Sequence, residues 1–169
     1  MPLSLAPTTD KIPPRGRDHP TARLTGMARL KLEYPDQAYT HSTTLQVRFD
    51  DINAGMHLAH DRLVSFVAEA RSRFLEHLGI SEIGDERTPG VIVSDLAVVY
   101  RAEARLRDTL RLDSGIVDLT RYGGDVICRV IRESDGTLVG VAKVNLVFFD
   151  YHGSNRPAPA PAAFTDAAN

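Results

Sequence analysis

Apolar and polar residues change period several times along the chain, and each change marks an element. Leu30, Leu32 and Tyr34 alternate before Pro35, and Leu45, Val47 and Phe49 alternate before a polar stretch, which predicts two short strands. The spacing then lengthens. Leu63, Phe66, Val67, Ala70, Phe74 and Leu78 recur at helical intervals, with Ser65, Glu69, Arg73 and Glu76 on the opposite side. Asp61 is placed to cap this helix and Gly79 to stop it. Beyond Pro89-Gly90, strand patterns occupy residues 91–101, 109–121, 125–133 and 137–150. Tyr122-Gly123-Gly124 and Ser134-Asp135-Gly136 are short connectors of the kind that join antiparallel neighbours.

One long amphipathic helix and a set of antiparallel strands define an α+β domain in which the sheet wraps the helix. The last strand carries apolar residues on both faces: Leu138, Val144, Leu146 and Phe148 on one, Val139, Val141, Val147 and Phe149 on the other. A single helix covers only one face, so the other is expected to meet a second subunit, giving a homodimer or homotetramer.

The ends read differently. Residues 1–27 hold Pro2, Pro7, Pro13, Pro14 and Pro20 without sustained periodicity, which predicts a disordered extension. Leu3, Leu5 and Ala6 make too short a run for a secretory signal, and Met27 suggests that the extension reflects an upstream start. Pro157, Pro159 and Pro161 cannot donate strand hydrogen bonds, so residues 153–169 are expected to form a flexible Pro/Ala-rich tail. The folded domain is thereby expected over residues 28–152.

Composition narrows the class further. A chain of 169 residues with 43% hydrophobic content is long enough for one domain with a substantial core. A net charge of −2 and a pI near 6.3 offer no global basic footprint for nucleic acid or an anionic membrane, and no apolar run reaches the length of a membrane helix. Cys128 is the only cysteine, which excludes an intrachain disulfide and a cysteine-based zinc site, and points to a reducing, cytoplasmic setting. Its alternating apolar surroundings predict a buried structural thiol. No metal or cofactor motif is present: Asp51, His57 and His60 lack the pattern of an established metal site.

Candidate chemistry gathers where the second strand gives way to the helix. Asp51, Asn53, Gly55, His57 and His60 fall in one short loop, and Asp61 follows at the helix start. A helix N-terminus presents unpaired N–H groups and a partial positive charge, both suited to polarising a carbonyl. His57 and His60 can exchange protons near neutral pH, whereas the neutral amide of Asn53 can only orient water or a ligand, or support an Asx turn. Gly55 supplies backbone freedom beside the substrate position, and Asp51 reads as a loop brace. Glu69 is a second candidate base, although its Glu-x-Arg surroundings suggest an ion pair.

The strand ending in Val47-Arg48-Phe49-Asp50-Asp51, the loop Asn53-Ala54-Gly55-Met56-His57-Leu58-Ala59-His60 and the helix carrying Glu69-Ala70-Arg71 resemble the hotdog-fold acyl-CoA thioesterases of the 4-hydroxybenzoyl-CoA thioesterase type. The resemblance spans roughly residues 30–152 and implies an acyl-CoA or other acyl thioester substrate, with hydrolysis to free acid and CoA. Asn53 stands where better-known members carry a catalytic aspartate, so the chain matches a branch with Asp-x-Asn in place of Asp-x-Asp. On this reading Asn53, His57 and His60 form the catalytic set, with His60 the favoured base, and Gly55 and Asp61 contact substrate. Two other activities fit the same pocket: a hydratase or dehydratase acting on an acyl thioester, and a non-catalytic acyl-thioester-binding protein.

Overall fold

The computed structural model describes residues 29–168, so the expectation for residues 1–27 lies outside the described part. Strand β1 (His41–Gln46) leads through a 3-10 turn at Phe49–Asp51 to helix α1 (His60–His77), followed by β2 (Gly90–Tyr100), β3 (Thr109–Thr120), β4 (Gly123–Arg132) and β5 (Leu138–Asp150). A two-residue strand β6 (Arg156–Pro157) and a short helix α2 (Ala162–Asp166) complete the chain. The strands form one antiparallel sheet in the order β1-β3-β4-β5-β2, with β6 added to β5.

Helix α1 has 18 residues, about 27 Å at 1.5 Å per residue. Leu63, Phe66, Val67, Ala70, Phe74 and Leu75 form its buried stripe. They meet Leu110, Leu112, Val126, Val130, Ala142, Val144, Leu146 and Phe148 from the sheet in one core. Each valine, leucine and phenylalanine among them contributes about 1.5–3 kcal/mol through removal from water. Gly79 ends the helix at φ +73, with its N–H on Glu76 O and the Ile80 N–H on Leu75 O. These two bonds make the stop a Schellman turn, and Leu75 and Ile80 are both buried in the core. The start differs from expectation: the N-cap is Ala59, and Asp61 lies inside the first turn, where its charge still suits the helix dipole.

Two predicted strand ends also move. Leu32 is buried, but residues 29–35 form no strand. They run instead across the outer face of the sheet, where Ala38 passes so close to Gly115 that a Cβ there would lie 1.7 Å from the Ala38 carbonyl oxygen. Strand β1 stops at Gln46, and Phe49 is 84% exposed in the turn beyond it, because the capped 3-10 turn redirects the chain before the alternation is complete.

The outer face is more polar than the sequence alternation suggested. A bulge at Val139 on β5, opposite the step from Val130 to Ile131 on β4, shifts the register, so Ile131 faces Leu138 while Val139 joins the core. Farther along β5, Lys143 bridges Asp95 at 3.0 Å and Asp125 at 3.1 Å, and Asn145 Nδ2 donates to Asp125 at 2.6 Å. On β3 the buried Asp113 accepts hydrogen bonds from Ser42, Arg111 and Arg129, and Arg129 also pairs with Asp36. Burial would raise the Asp113 pKa, but these donors outweigh it and hold the carboxyl below its ordinary value. Ile127, Val141 and Leu32 form only a small buried apolar group there. Leu138, Val141, Val147 and Phe149 remain on the outer side of β5, interrupted by Lys143 and Asn145.

The C-terminal segment packs on the domain over part of its length. Phe149 and Asp150 pair with Pro157 and Arg156, and Phe164 is completely buried, edge-on to Phe148 with ring centroids 5.1 Å apart. The prolines stop regular pairing after two residues, yet an aromatic anchor beyond them returns the chain to the core. Cys128 is buried, and burial pushes its thiol pKa up to about 12, so it is not a thiolate at neutral pH.

Candidate active site

The loop between β1 and α1 is held at several points. The Asp51 carboxylate accepts the Arg48 N–H at 2.8 Å, and the Ala59 N–H donates to the Asp51 carbonyl at 2.9 Å, so this buried residue ties the 3-10 turn to the helix start. Ile52 and Leu58 form an antiparallel bridge that closes a small hairpin. At its tip the Met56 N–H reaches Asn53 O at 3.0 Å, and Met56 adopts φ +61. A left-handed conformation costs a non-glycine residue about 1–2 kcal/mol. Asn53 Oδ1 accepts the Gly55 N–H at 2.9 Å, an Asx turn that opposes that cost locally.

Asn53 also meets His57. Its Nδ2 lies 3.4 Å from His57 Nδ1, which is 3.2 Å from the Leu58 carbonyl oxygen. The nearer neighbour is an acceptor, which favours a proton on Nδ1 and leaves Nε2 with a free lone pair. Gly55 sits against that ring: an added Cβ would lie 2.8 Å from His57 Nε2.

A cleft of about 360 Å³ brings Asn53, His57 and His60 together with Tyr100, Arg101 and Glu103. The Leu58 N–H donates to Ala104 O at 2.7 Å, and the Tyr100 hydroxyl donates to His60 O at 3.1 Å, so the two lips are joined. His60 opens the helix, and the Leu63 N–H is the first to reach back, to Ala59 O. The N–H groups of residues 60–62 therefore have no intrahelical acceptor and supply positive potential beside the cleft.

The structure separates the other candidates from this cleft. Gly55 backs the His57 ring without lining the cavity, and Asp61 is exposed on the first helical turn. Glu69 pairs with Arg73 at 2.7 Å, while Arg71, its expected partner, pairs with Glu82 at 3.1 Å. Tyr100, Arg101 and Glu103 were not assigned from sequence. They lie some forty positions beyond the loop, and their only sequence signal is the charged Arg101-Ala102-Glu103 that ends an apolar strand. Among the described residues no group of three or more His, Cys, Asp or Glu side chains could hold a metal ion, and no helix is long and apolar enough to cross a membrane.

An antiparallel sheet curled around one long helix, with polar groups collected at the helix N-terminus, is the hotdog fold of thioesterase-type proteins. A model of the thioesterase-like superfamily matches residues 47–168, and the chain belongs to that superfamily. The fold is shared with a 1,4-dihydroxy-2-naphthoyl-CoA thioesterase from Synechocystis at TM-score 0.66 and 15% identity, covering 75% of this chain and 93% of that one. A gentisyl-coenzyme A thioesterase aligns at TM-score 0.66 and 18% identity over 76% and 100% of the two chains. A Staphylococcus aureus protein solved in complex with CoA aligns at 0.67 and 19% identity over 75% and 79%. No curated protein sequence matches the chain at a significant level.

Proposed function

We propose that the protein hydrolyses an acyl-CoA thioester to a free acid and CoA. The observation that carries this reading is the meeting of Asn53, His57 and His60 in one cleft at a helix N-terminus, within a fold shared with CoA thioesterases. The thioester carbonyl oxygen points at the free N–H groups of the first turn, which favour the negative charge that develops there. A water molecule adds to the carbonyl carbon and gives its proton to a histidine. The tetrahedral intermediate then collapses, the C–S bond breaks, and the imidazolium returns the proton to the leaving sulfur.

Sequence position favours His60 as the base, but the held ring of His57 supports assigning the proton transfer to that residue. Its Nδ1 is anchored at Leu58 O and Nε2 is left as the acceptor, whereas His60 is exposed. Asn53 braces the loop through Oδ1, while His60 contributes to binding at the carbonyl. The test is thiol release from purified protein with short, medium, long and aromatic acyl-CoAs. Absence of release from all of them, with CoA still bound, would favour the non-catalytic reading, and turnover without free thiol would favour the hydratase or dehydratase.

The same reading includes a homodimer or homotetramer. Strand β2 is an edge of the sheet, covered near its start where the Val91 N–H donates to Glu82 O at 2.8 Å, and beyond it Val93, Leu96 and Tyr100 are each 44–50% exposed, a template for pairing. Sedimentation at micromolar concentration tests it, and a stable monomer would count against it.

A further inference from the structure

A second cleft, about 610 Å³, lies on the outer face of the sheet, and Arg101 lines both it and the cleft with the histidines. Alternation along β2 directs Tyr100 to the helix side and the next residue to the outer side. The Arg101 main chain is pinned there by its N–H on Val139 O at 2.8 Å. The second cleft is walled by Leu138 and Val141 and by the rings of Tyr34 and Tyr39. Its volume falls within the range of about 300–1,000 Å³ usual for small-ligand sites.

The charges in this cleft differ in availability. Arg129 is committed to Asp113 and Asp36, and its guanidinium lies over the Tyr39 ring, 4.3 Å from the centroid. Arg101 is exposed and has no ion-pair or side-chain hydrogen-bond partner among the described residues. Glu103 flanks it in the first cleft and Glu33 in the second, so an anionic group bridging the two is favoured only at Arg101 itself. Tyr34 is half-buried and its pKa is raised, first by burial and then by Asp125, which keeps the phenol protonated beside an aromatic face. A thioester carrier suited to this surface is reactive at one end, anionic in the middle and a flat heteroaromatic ring at the other.

We infer that the second cleft receives the adenine nucleotide end of CoA, with Arg101 binding its phosphates where the two clefts meet. The inference rests on the acyl-thioester reading of the first cleft and selects CoA over a protein-bound carrier, which has no nucleotide to place there. Arg101 touches the carrier and not the reacting carbonyl, so it sets substrate affinity.

The test compares an acyl-CoA with the matching acyl-pantetheine, which lacks the nucleotide, on wild type, Arg101→Gln and Leu138→Glu, with folding checked by circular dichroism. In wild type, KM is expected to be lower for acyl-CoA. Arg101→Gln should raise the acyl-CoA KM by about tenfold, the scale of one lost charge contact, and so narrow the gap between the substrates. Leu138→Glu, which puts a negative charge in the second cleft only, should narrow it in the same direction. A gap that survives both substitutions overturns the inference while leaving thioester hydrolysis standing. If wild type hydrolyses neither substrate, the thioesterase reading fails alone. Calorimetric titration with CoA then decides the inference: weaker binding in Arg101→Gln supports it, and equal binding overturns it.

Discussion

The Tyr100 hydroxyl donates to the His60 carbonyl oxygen across 3.1 Å, joining the end of an edge strand to the first residue of the central helix. This bond spans the cleft, so it sets the distance between the helix N-terminus and the opposite lip. Tyr100→Phe keeps the ring and removes the bond. Stability is expected to fall by about 0.5–1.5 kcal/mol, and kcat to fall with it because the carbonyl-binding amides are less firmly placed. Urea denaturation and steady-state thiol release check the two effects, and unchanged kcat would show that the bond has no part in catalysis.

His57→Ala is expected to lower kcat by about 100-fold or more with the fold intact, as for loss of a general base. His60→Ala should cost less. The reverse order, with both variants folded by circular dichroism, would return the base assignment to His60. Asn53→Asp places a carboxylate opposite Nδ1–H, which stabilises the imidazolium. The acid limb of the pH profile of kcat/KM should therefore move to higher pH than in wild type, and a limb that stays in place argues against contact between residues 53 and 57.

Gly55→Ala probes the side of the same ring that rests against the loop. The added Cβ would lie 2.8 Å from His57 Nε2, closer than atoms pack, so the ring must shift from its anchored position. Turnover should fall clearly, while stability at this exposed loop changes by no more than about 0.5 kcal/mol. Wild-type turnover in this variant would mean that His57 Nε2 is not the reacting atom.

Phe164→Ala tests the C-terminal anchor. Removing a fully buried phenylalanine costs about 3–5 kcal/mol, so the denaturation midpoint should drop sharply. A midpoint close to wild type would show that the segment beyond β6 is dispensable, as its prolines alone suggest.

His41 gives a pH-dependent stability. Its ring stacks on Phe74 at 5.3 Å and tilts against His77 at 4.7 Å. Burial, and secondarily the charge of His77, lowers its pKa from the ordinary 6.5. With the lower pKa in the folded state, the unfolded chain takes up its proton first as the pH falls. The stabilisation is therefore complete above about 6.5 and is lost as the pH drops toward the folded value. Denaturation midpoints should decline from about pH 7.5 to about pH 5 in wild type and decline less in His41→Phe. Equal slopes would remove His41 as the source.

Local periodicity determined the helix and the four long strands, because a buried stripe at 3.6 spacing and an alternating face are properties of neighbours along the chain. The expected cap Asp61 and stop Gly79 bracket α1 to within about two residues at either end, and the loop holding Asn53, His57 and His60 is legible as the break between two periods. Features that depend on distant partners were not legible. The bulge that turns Val139 inward is a mismatch between β4 and β5, and the polar ladder through Lys143 and Asp113 needs charges from three other strands or turns. Phe164 reads as a tail residue until Phe148 is brought beneath it. The cleft shows the same division: the histidines come from one local loop, whereas Tyr100, Arg101 and Glu103 join them only because sheet pairing carries the end of β2 to the helix start. Local sequence sets which way a side chain points, and only tertiary packing decides what it meets.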